Sequence, residues 1–411
     1  MKVLIAENQS PFRQAVADIL SAKGFDVHCV DNGKEAWNLI RREKDIRLVI
    51  ADYDLAEIKG SDLCQRIRRG GFPFYIYVIL LIEQNQRKDV IQEMGEEADD
   101  FLSRPFVPEE LYLRLRTGER IVALEEDLWN QNLRLQRANK IMSRDLEAGR
   151  DVQKSLTPQL APNYPNIEFS FAFVPSAYVS GDIFNIFRLD ENHIGLYSID
   201  VSGHGVPAAL FSVTLSQKMK HNVSPQGLLK VPLGNSPCYR INPPERVVAL
   251  LDEEDMLGRY DRYFTMVYAV INIRTGLVTF CRAGHNWPLV IHGDGTSEYI
   301  EGGGPPVGFG ISNIQRNRQR VRLKSKDRFI LFSDGINEAY SSAKKINYGL
   351  ERIEKQLRAD GKASIDETFR RLLEDVKLFL GEDEISDDVS MIGFEWTAPS
   401  RRSSSLPKRK S

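Results

Sequence analysis

The 411-residue chain is 42% apolar and 27% charged, a globular composition too long for one ordinary core, so two or three domains are expected. A net charge of −2 excludes broad electrostatic binding of nucleic acid, and no apolar run approaches the roughly 20 residues that span a bilayer. Cys29, Cys64, Cys238 and Cys281 lack the paired spacing of a zinc or redox site, and Met1-Lys-Val-Leu-Ile enters a strand without a signal-peptide pattern; both point to the cytoplasm.

Residues 1–120 alternate β-branched runs with amphipathic helical stretches. Strands are expected at Lys2–Ala6, Asp26–Val30, Leu48–Ala51, Tyr75–Ile82 and Asp99–Leu102. Strands alternating with helices mean a parallel sheet covered on both faces, an α/β doubly wound domain. Ligands of such sheets sit beyond the carboxyl ends of the strands. That edge carries Glu7, Asn8, Asp52, Ile82 and Arg104.

The run Arg47-Leu-Val-Ile-Ala-Asp52-Tyr-Asp-Leu-Ala-Glu-Ile-Lys-Gly60, followed by Ala98-Asp-Asp-Phe-Leu-Ser-Arg-Pro-Phe106, resembles the receiver domain of bacterial response regulators. The likeness covers essentially all of residues 1–120. It implies Asp52 as phosphoacceptor, Mg²⁺ in the receiver site and a sensor histidine kinase as partner. Three positions depart from the family pattern. Asn8 replaces one of two acidic residues and removes an anion from the metal site. Ile82 stands where Thr or Ser is usual and has no hydroxyl to report a phosphoryl group. Arg104 replaces Lys, and a forked guanidinium is not equivalent to an ammonium. A receiver fold kept as a docking module, with Asp52 paired to Arg104, is the alternative.

After Pro105 a helical pattern runs to about Thr157-Pro158. Ile121, Leu128, Leu135 and Met142 recur every seventh residue, with Leu124 and Ala138 at intervening seam positions. The repeat predicts a parallel coiled-coil linker over residues 121–158 and hence a homodimer. A single helix packed on its own domain is the alternative. Gln131, Asp145 and Gly149 interrupt the seam and make the stalk easy to re-register.

From Ile167 the periodicity changes to short strands: Phe169–Val174, Ile183–Leu189, His193–Asp200, Tyr263–Ile273, Leu277–Ala283, Asp327–Phe332 and Val389–Phe394. Helices are expected at Pro207–His221, Pro244–Leu257, Leu350–Leu357 and Ile365–Leu380, and a lid-like loop at Asn222–Asn242. Many strands with segregated helices predict an α+β sandwich spanning residues 159–396. Asp182, Asp200, Asp334 and Asp387 each lie at a turn flanking a strand-like run, where four carboxylates can share one point. Such a cluster repels itself unless a cation holds it. An oxygen-only donor set suits Mg²⁺ or Mn²⁺ rather than zinc.

The ordered set Val179-Ser-Gly-Asp182, Asp200-Val-Ser-Gly-His-Gly-Val-Pro-Ala-Ala209, Tyr263-Phe-Thr265, Ala283-Gly-His-Asn286, Gly302-Gly-Gly-Pro-Pro-Val-Gly308, Ser333-Asp-Gly-Ile-Asn-Glu338 and Asp387-Asp-Val-Ser390 resembles the metal-dependent Ser/Thr protein phosphatases of the SpoIIE/RsbU-like branch. The resemblance implies an αββα sandwich. It implies Asp182, Asp200, Asp334 and Asp387 as catalytic metal ligands, joined by the Val201 carbonyl, around two Mn²⁺ or Mg²⁺ ions. It places Asp388 behind the ligands, makes Asn185 a poor site for any further metal, and gives His285 an organising role. His204 reads as an exposed loop residue, and the Gly203-His-Gly205 turn opens a helix whose N-terminus can hold an anion. The implied reaction is attack of an activated water on phosphoserine or phosphothreonine. The implied partner is a phosphorylated STAS-type protein. A non-catalytic scaffold with two degenerate domains is the competing reading, and a transcriptional regulator is disfavoured by the lack of a helix-turn-helix pattern. The Pro/Ser/Arg/Lys-rich stretch Thr397–Ser411 is expected to be a disordered tail.

Overall fold

The computed structural model of the chain describes residues 1–85, 90, 97–158, 163–220, 222–224, 227–234, 238–255, 262–309, 314–359 and 363–399. It divides into two compact units, Met1–Ile141 and Met142–Ser411.

In the first unit β1 (Lys2–Ala6), β2 (Asp26–Val30), β3 (Ile46–Asp52), β4 (Tyr77–Glu83) and β5 (Asp100–Arg104) form one sheet in the order β2-β1-β3-β4-β5. Every pairing is parallel. Because side chains alternate along a strand, the apolar runs serve two cores. Leu4, Val49, Ala51, Val78 and Leu80 meet α2 (Gly33–Arg42) and α3 (Gly60–Arg69) on one face. Val3, Ile5, Leu48, Ile50, Ile79 and Leu81 meet α1 (Ser10–Ala22) and the start of α4 (Pro108–Lys154) on the other. This is the doubly wound receiver architecture. All five strand expectations hold, with ends displaced by at most two residues.

The helix α4 runs unbroken for 47 residues, about 70 Å at a rise of about 1.5 Å per residue. Leu111, Leu115 and Val122 are buried in the first unit, and Ile121 is half-buried beside them. Beyond them Leu124, Leu128, Leu135 and Met142 are 68, 54, 61 and 58% exposed. The first seam position is therefore taken up by the helix's own unit, and the later ones are not.

The second unit stacks two antiparallel five-stranded sheets. One has the order β15 (Gln319–Arg322), β12 (Leu277–Ala283), β11 (Phe264–Asn272), β8 (His193–Val201), β7 (Ile183–Arg188). The other runs β14 (Ser297–Tyr299), β13 (Leu289–Ile291), β16 (Asp327–Phe332), β19 (Val389–Trp396), β6 (Ile167–Val174). Phe184, Leu196, Val267 and Phe280 of the first meet Phe169, Phe329, Ile392 and Phe394 of the second in the middle layer. The outer face of the first sheet packs on α5 (Val206–Lys218) and α6 (Pro244–Asp255). That of the second packs on α8 (Leu350–Arg358) and α9 (Ile365–Leu380), after the short α7 (Asp334–Asn337) and a small ribbon of β17 (Tyr340–Ser341) and β18 (Ile346–Asn347). Helix, sheet, sheet, helix is the αββα sandwich expected of this unit.

One expectation needs correction. Within Asn222–Asn242, read as a loop, β9 (Lys230–Pro232) and β10 (Tyr239–Ile241) pair as a small antiparallel ribbon. Leu229 is fully buried beneath it, and Asn242 donates to the Leu228 carbonyl (2.9 Å). Pro and Gly punctuation outweighed two apolar residues that anchor the segment. The helix expected to reach His221 stops at Lys218, where Met219 caps it through its amide to the Leu215 carbonyl. His221 itself, Leu257 and residues 400–411 of the tail lie outside the described residues.

Candidate active site

The four aspartates of the second unit come from four separate elements. Asp182 lies on the turn before β7, Asp200 near the end of β8, Asp334 at the start of α7, and Asp387 on the turn before β19. The Asp334 turn and the Asp387-Asp388 segment approach each other through backbone. A Cβ on Gly335 would lie 2.1 Å from the Asp388 carbonyl oxygen, so only glycine allows the contact. Ser333 ties the same two segments: its hydroxyl donates to the Asp388 carbonyl (3.0 Å) and accepts from the Ser390 amide (2.9 Å).

The carboxylates act on one another electrostatically. Asp182 is 3% exposed, and its Oδ2 has no hydrogen-bond partner among the described residues. Burial, then the charge of Asp200, raises it well above the ordinary carboxylate range, outweighing the nearby Ser390 and Ser333 hydroxyls. Asp200 is pushed up to about 7 by burial and by Asp334 and Asp387, while a hydrogen bond with Asp182 opposes the rise. Asp334 is pushed up to about 6 by burial, Glu338 and Asp387. Among the described residues no three acidic, His or Cys side chains close to ligand distance on one point. The cluster is gathered but open, all-oxygen, and holds an orphaned buried oxygen. That donor chemistry fits hard divalent cations.

Asp388 does not face this cluster as a free ligand. Its Oδ1 accepts from the Ser176 amide (2.8 Å) and hydroxyl (2.9 Å), and its Oδ2 from the Ser180 hydroxyl (2.6 Å) and the Gly181 amide (2.9 Å). It clamps the turn that carries Asp182. Gln153, in the last turn of α4, holds the same turn from the other side. It accepts from the Ser180 amide (3.0 Å) and donates to the Ser180 carbonyl (2.6 Å) and the Ser212 hydroxyl (3.0 Å). The sequence reading missed Gln153, because nothing about a glutamine near a helix end distinguishes it before the fold is known.

His285 is 3% exposed, its Nδ1 lies 2.8 Å from the Thr265 hydroxyl, and Thr265 sits directly across from Asp200 in the β8–β11 register. Burial and, secondarily, the Arg282 charge hold its imidazole down to about 3, so it is neutral and organises the strand opposite Asp200. His204 is exposed. Asn185 turns its carbonyl oxygen to the Ile186 amide (2.7 Å).

In the first unit Glu7 is fully buried and Asp52 is 9% exposed. The Arg104 guanidinium pairs with the Glu7 carboxylate, lies 3.5 Å from Asp52 Oδ2, and stacks 4.4 Å from the centre of the Phe12 ring. Burial raises Asp52, Arg104 opposes that rise, and Glu7 adds to it. Asn8 is exposed and reaches only the Asp54 carbonyl, at 3.5 Å. Ile82 is buried in the core between β4 and the α2–α3 layer. These residues fit Mg²⁺ poorly: Glu7 is already neutralised by Arg104, and Asn8 brings no charge.

The Response regulator receiver domain family matches residues 3–116, and the Stage II sporulation protein E (SpoIIE) family matches residues 190–397. Phosphoserine phosphatase RsbP of Bacillus subtilis is 26% identical over 200 residues, covering 48% of this chain and 46% of that protein. Response regulator RppA of Synechocystis is 29% identical over 121 residues, covering 29% of this chain and 51% of that protein. The chain thus spans about half the length of these relatives. The SiaA-PP2C domain of Pseudomonas aeruginosa shares the fold at 18% identity, with a TM-score of 0.54 over 63% of this chain and 98% of that one. The chain belongs to the SpoIIE family, and its family domain follows a response regulator receiver domain.

Proposed function

We propose that the chain is a metal-dependent protein serine/threonine phosphatase, governed by its receiver, that removes phosphate from phosphoserine or phosphothreonine on a partner protein. The observation that carries this reading is the buried Asp182–Asp200 pair with Asp334 and Asp387 beside it, in which Asp182, Asp200 and Asp334 resist ionisation without a cation. The name of the Bacillus relative, a phosphoserine phosphatase, supports the same reading.

Asp182, Asp200, Asp334, Asp387 and the Val201 carbonyl are the residues that would hold two Mn²⁺ or Mg²⁺ ions. When bound, such ions supply an activated water and neutralise the phosphoryl oxygens. The protein's own part is positional. Asp388 and Gln153 fix the Asp182 turn, Ser333 fixes the Asp334 turn against Asp387-Asp388, and neutral His285 holds Thr265 across from Asp200. Burial pushes the Cys64 and Cys281 thiols up to about 12, which keeps them from acting as thiolate nucleophiles.

The architecture resembles phosphatases of partner-switching pathways, which supports a phosphorylated STAS-type protein as the substrate. Asp52 is the residue such a receiver would phosphorylate, and Arg104 competes for its carboxylate. The exposed apolar seam of α4 supports a homodimer. The test of the activity is Mn²⁺-dependent hydrolysis of an aryl phosphate by the full-length protein. Asp334→Ala is expected to lower kcat/KM by about a hundredfold or more with the circular dichroism spectrum unchanged. Undiminished turnover in that variant would overturn the assignment of the site.

A further inference from the structure

Arg262 is a cation tethered to the turn that follows Asp200. Its Nη1 donates to the Ser202 carbonyl (2.7 Å), one residue beyond Val201 and two beyond Asp200. The backbone there is locked: the Ser202 amide donates to the Tyr263 carbonyl (3.0 Å), and the Tyr263 amide donates to the Ser202 hydroxyl (3.2 Å). Nη1 also lies 2.8 Å from where a Cβ on Gly203 would stand, so the guanidinium lies over an exposed glycine at φ +86°. A guanidinium carries five N–H donors. Among the described residues the Ser202 carbonyl is its one hydrogen-bond acceptor, and no carboxylate pairs with it.

The next residue, Tyr263, is 41% exposed and meets Phe309, 52% exposed, edge to face with ring centres 5.2 Å apart. These rings are held in place from behind. Phe264 and Val307 exchange both backbone hydrogen bonds (3.0 and 2.9 Å). The Gly308 amide donates to Asp252 Oδ1 (2.9 Å), while the buried Arg316 pairs with Asp252 Oδ2 (2.8 Å). A frame that includes a buried ion pair thus presents two aromatic rings to solvent, next to an unneutralised arginine and within a few residues of Asp200.

We propose that Arg262 and the Tyr263–Phe309 pair form a recognition lip for the phosphorylated segment of a protein substrate. Arg262 takes the phosphate oxygens, for which a guanidinium fork is the matched donor. The ring pair takes an apolar side chain flanking the phosphoserine or phosphothreonine, as aromatic residues do at protein interfaces. The charge is complementary to a phosphate dianion, and the rings exceed what a small phosphate ester can cover. The lip rests on the phosphatase reading above.

The experiment uses full-length protein with Mn²⁺ and two probes: p-nitrophenyl phosphate, and a short phosphoserine peptide with Leu beside the phosphoserine. Arg262→Ala is expected to raise KM for both probes by about tenfold or more, with a smaller effect on kcat and partial recovery in Arg262→Lys. Phe309→Ala and Tyr263→Ala are expected to lower the peptide-to-aryl kcat/KM ratio by about fivefold or more. Mn²⁺ affinity, titrated calorimetrically, should be unmoved in all of them. An unmoved KM in Arg262→Ala, a ratio unmoved in both ring variants, or loss of Mn²⁺ binding overturns the lip while leaving the phosphatase in place. Wild type that binds Mn²⁺ yet turns over neither probe removes the phosphatase reading, and the lip with it.

Discussion

Asp200 shows how one residue reports the state of the site. Its folded-state value near 7 stands above the ordinary 3.8, so the folded protein binds its proton more tightly than the unfolded chain does. The stability this contributes is complete below about pH 4 and is lost as pH rises through about 7. Asp182 and Asp334 are displaced in the same direction. In chelator, Asp200→Asn should therefore melt roughly 3–6 °C above wild type at pH 8, with the gap closing towards pH 4.5. Mn²⁺ should reverse the order at pH 8 by stabilising only the wild type. Melting curves across that range decide it, and a gap independent of pH would mean that Asp200 is not under electrostatic strain.

At the scale of elements, the turn carrying Asp182 is held between β19 and the end of α4. Asp388 grips it through four hydrogen bonds and Gln153 through two to Ser180. Gln153→Ala is expected to cut aryl-phosphate turnover by about tenfold or more, because it leaves the buried Ser180 amide and carbonyl without that partner. Addition of Mn²⁺ well above wild-type requirements should restore part of the loss. Turnover equal to wild type at low Mn²⁺ would show that the helix end does not position the turn. Such tertiary wiring was invisible in sequence, whereas the aspartates stood out because each flanks an apolar run with Gly or Ser within two residues. The longer strands were legible for a similar reason: buried faces impose alternation, or unbroken apolar runs, on them. The β9–β10 ribbon and the short β13, β14 and β15 were not, since strands of three or four residues carry too few positions to show a period.

Across the whole chain, α4 displays Leu128, Leu135 and Met142 to solvent at seven-residue spacing, with Leu124 at an intervening seam position. An apolar stripe of that length is costly for a lone helix in water. Light scattering of the full-length protein should give twice the monomer mass, and Leu128→Asp with Leu135→Asp should return it to the monomer; a wild-type monomer at micromolar concentration would refute the seam. No helix among the described residues is long and apolar enough to cross a membrane. The Arg104 guanidinium, set against Glu7 and Asp52, has a consequence for the molecule as an information device. The first unit carries its counter-charge covalently, while on the proposed reading the second would borrow its own from solution. Scarcity of free divalent ions would then silence the output while leaving the input intact, so the two halves would respond to different features of the same environment.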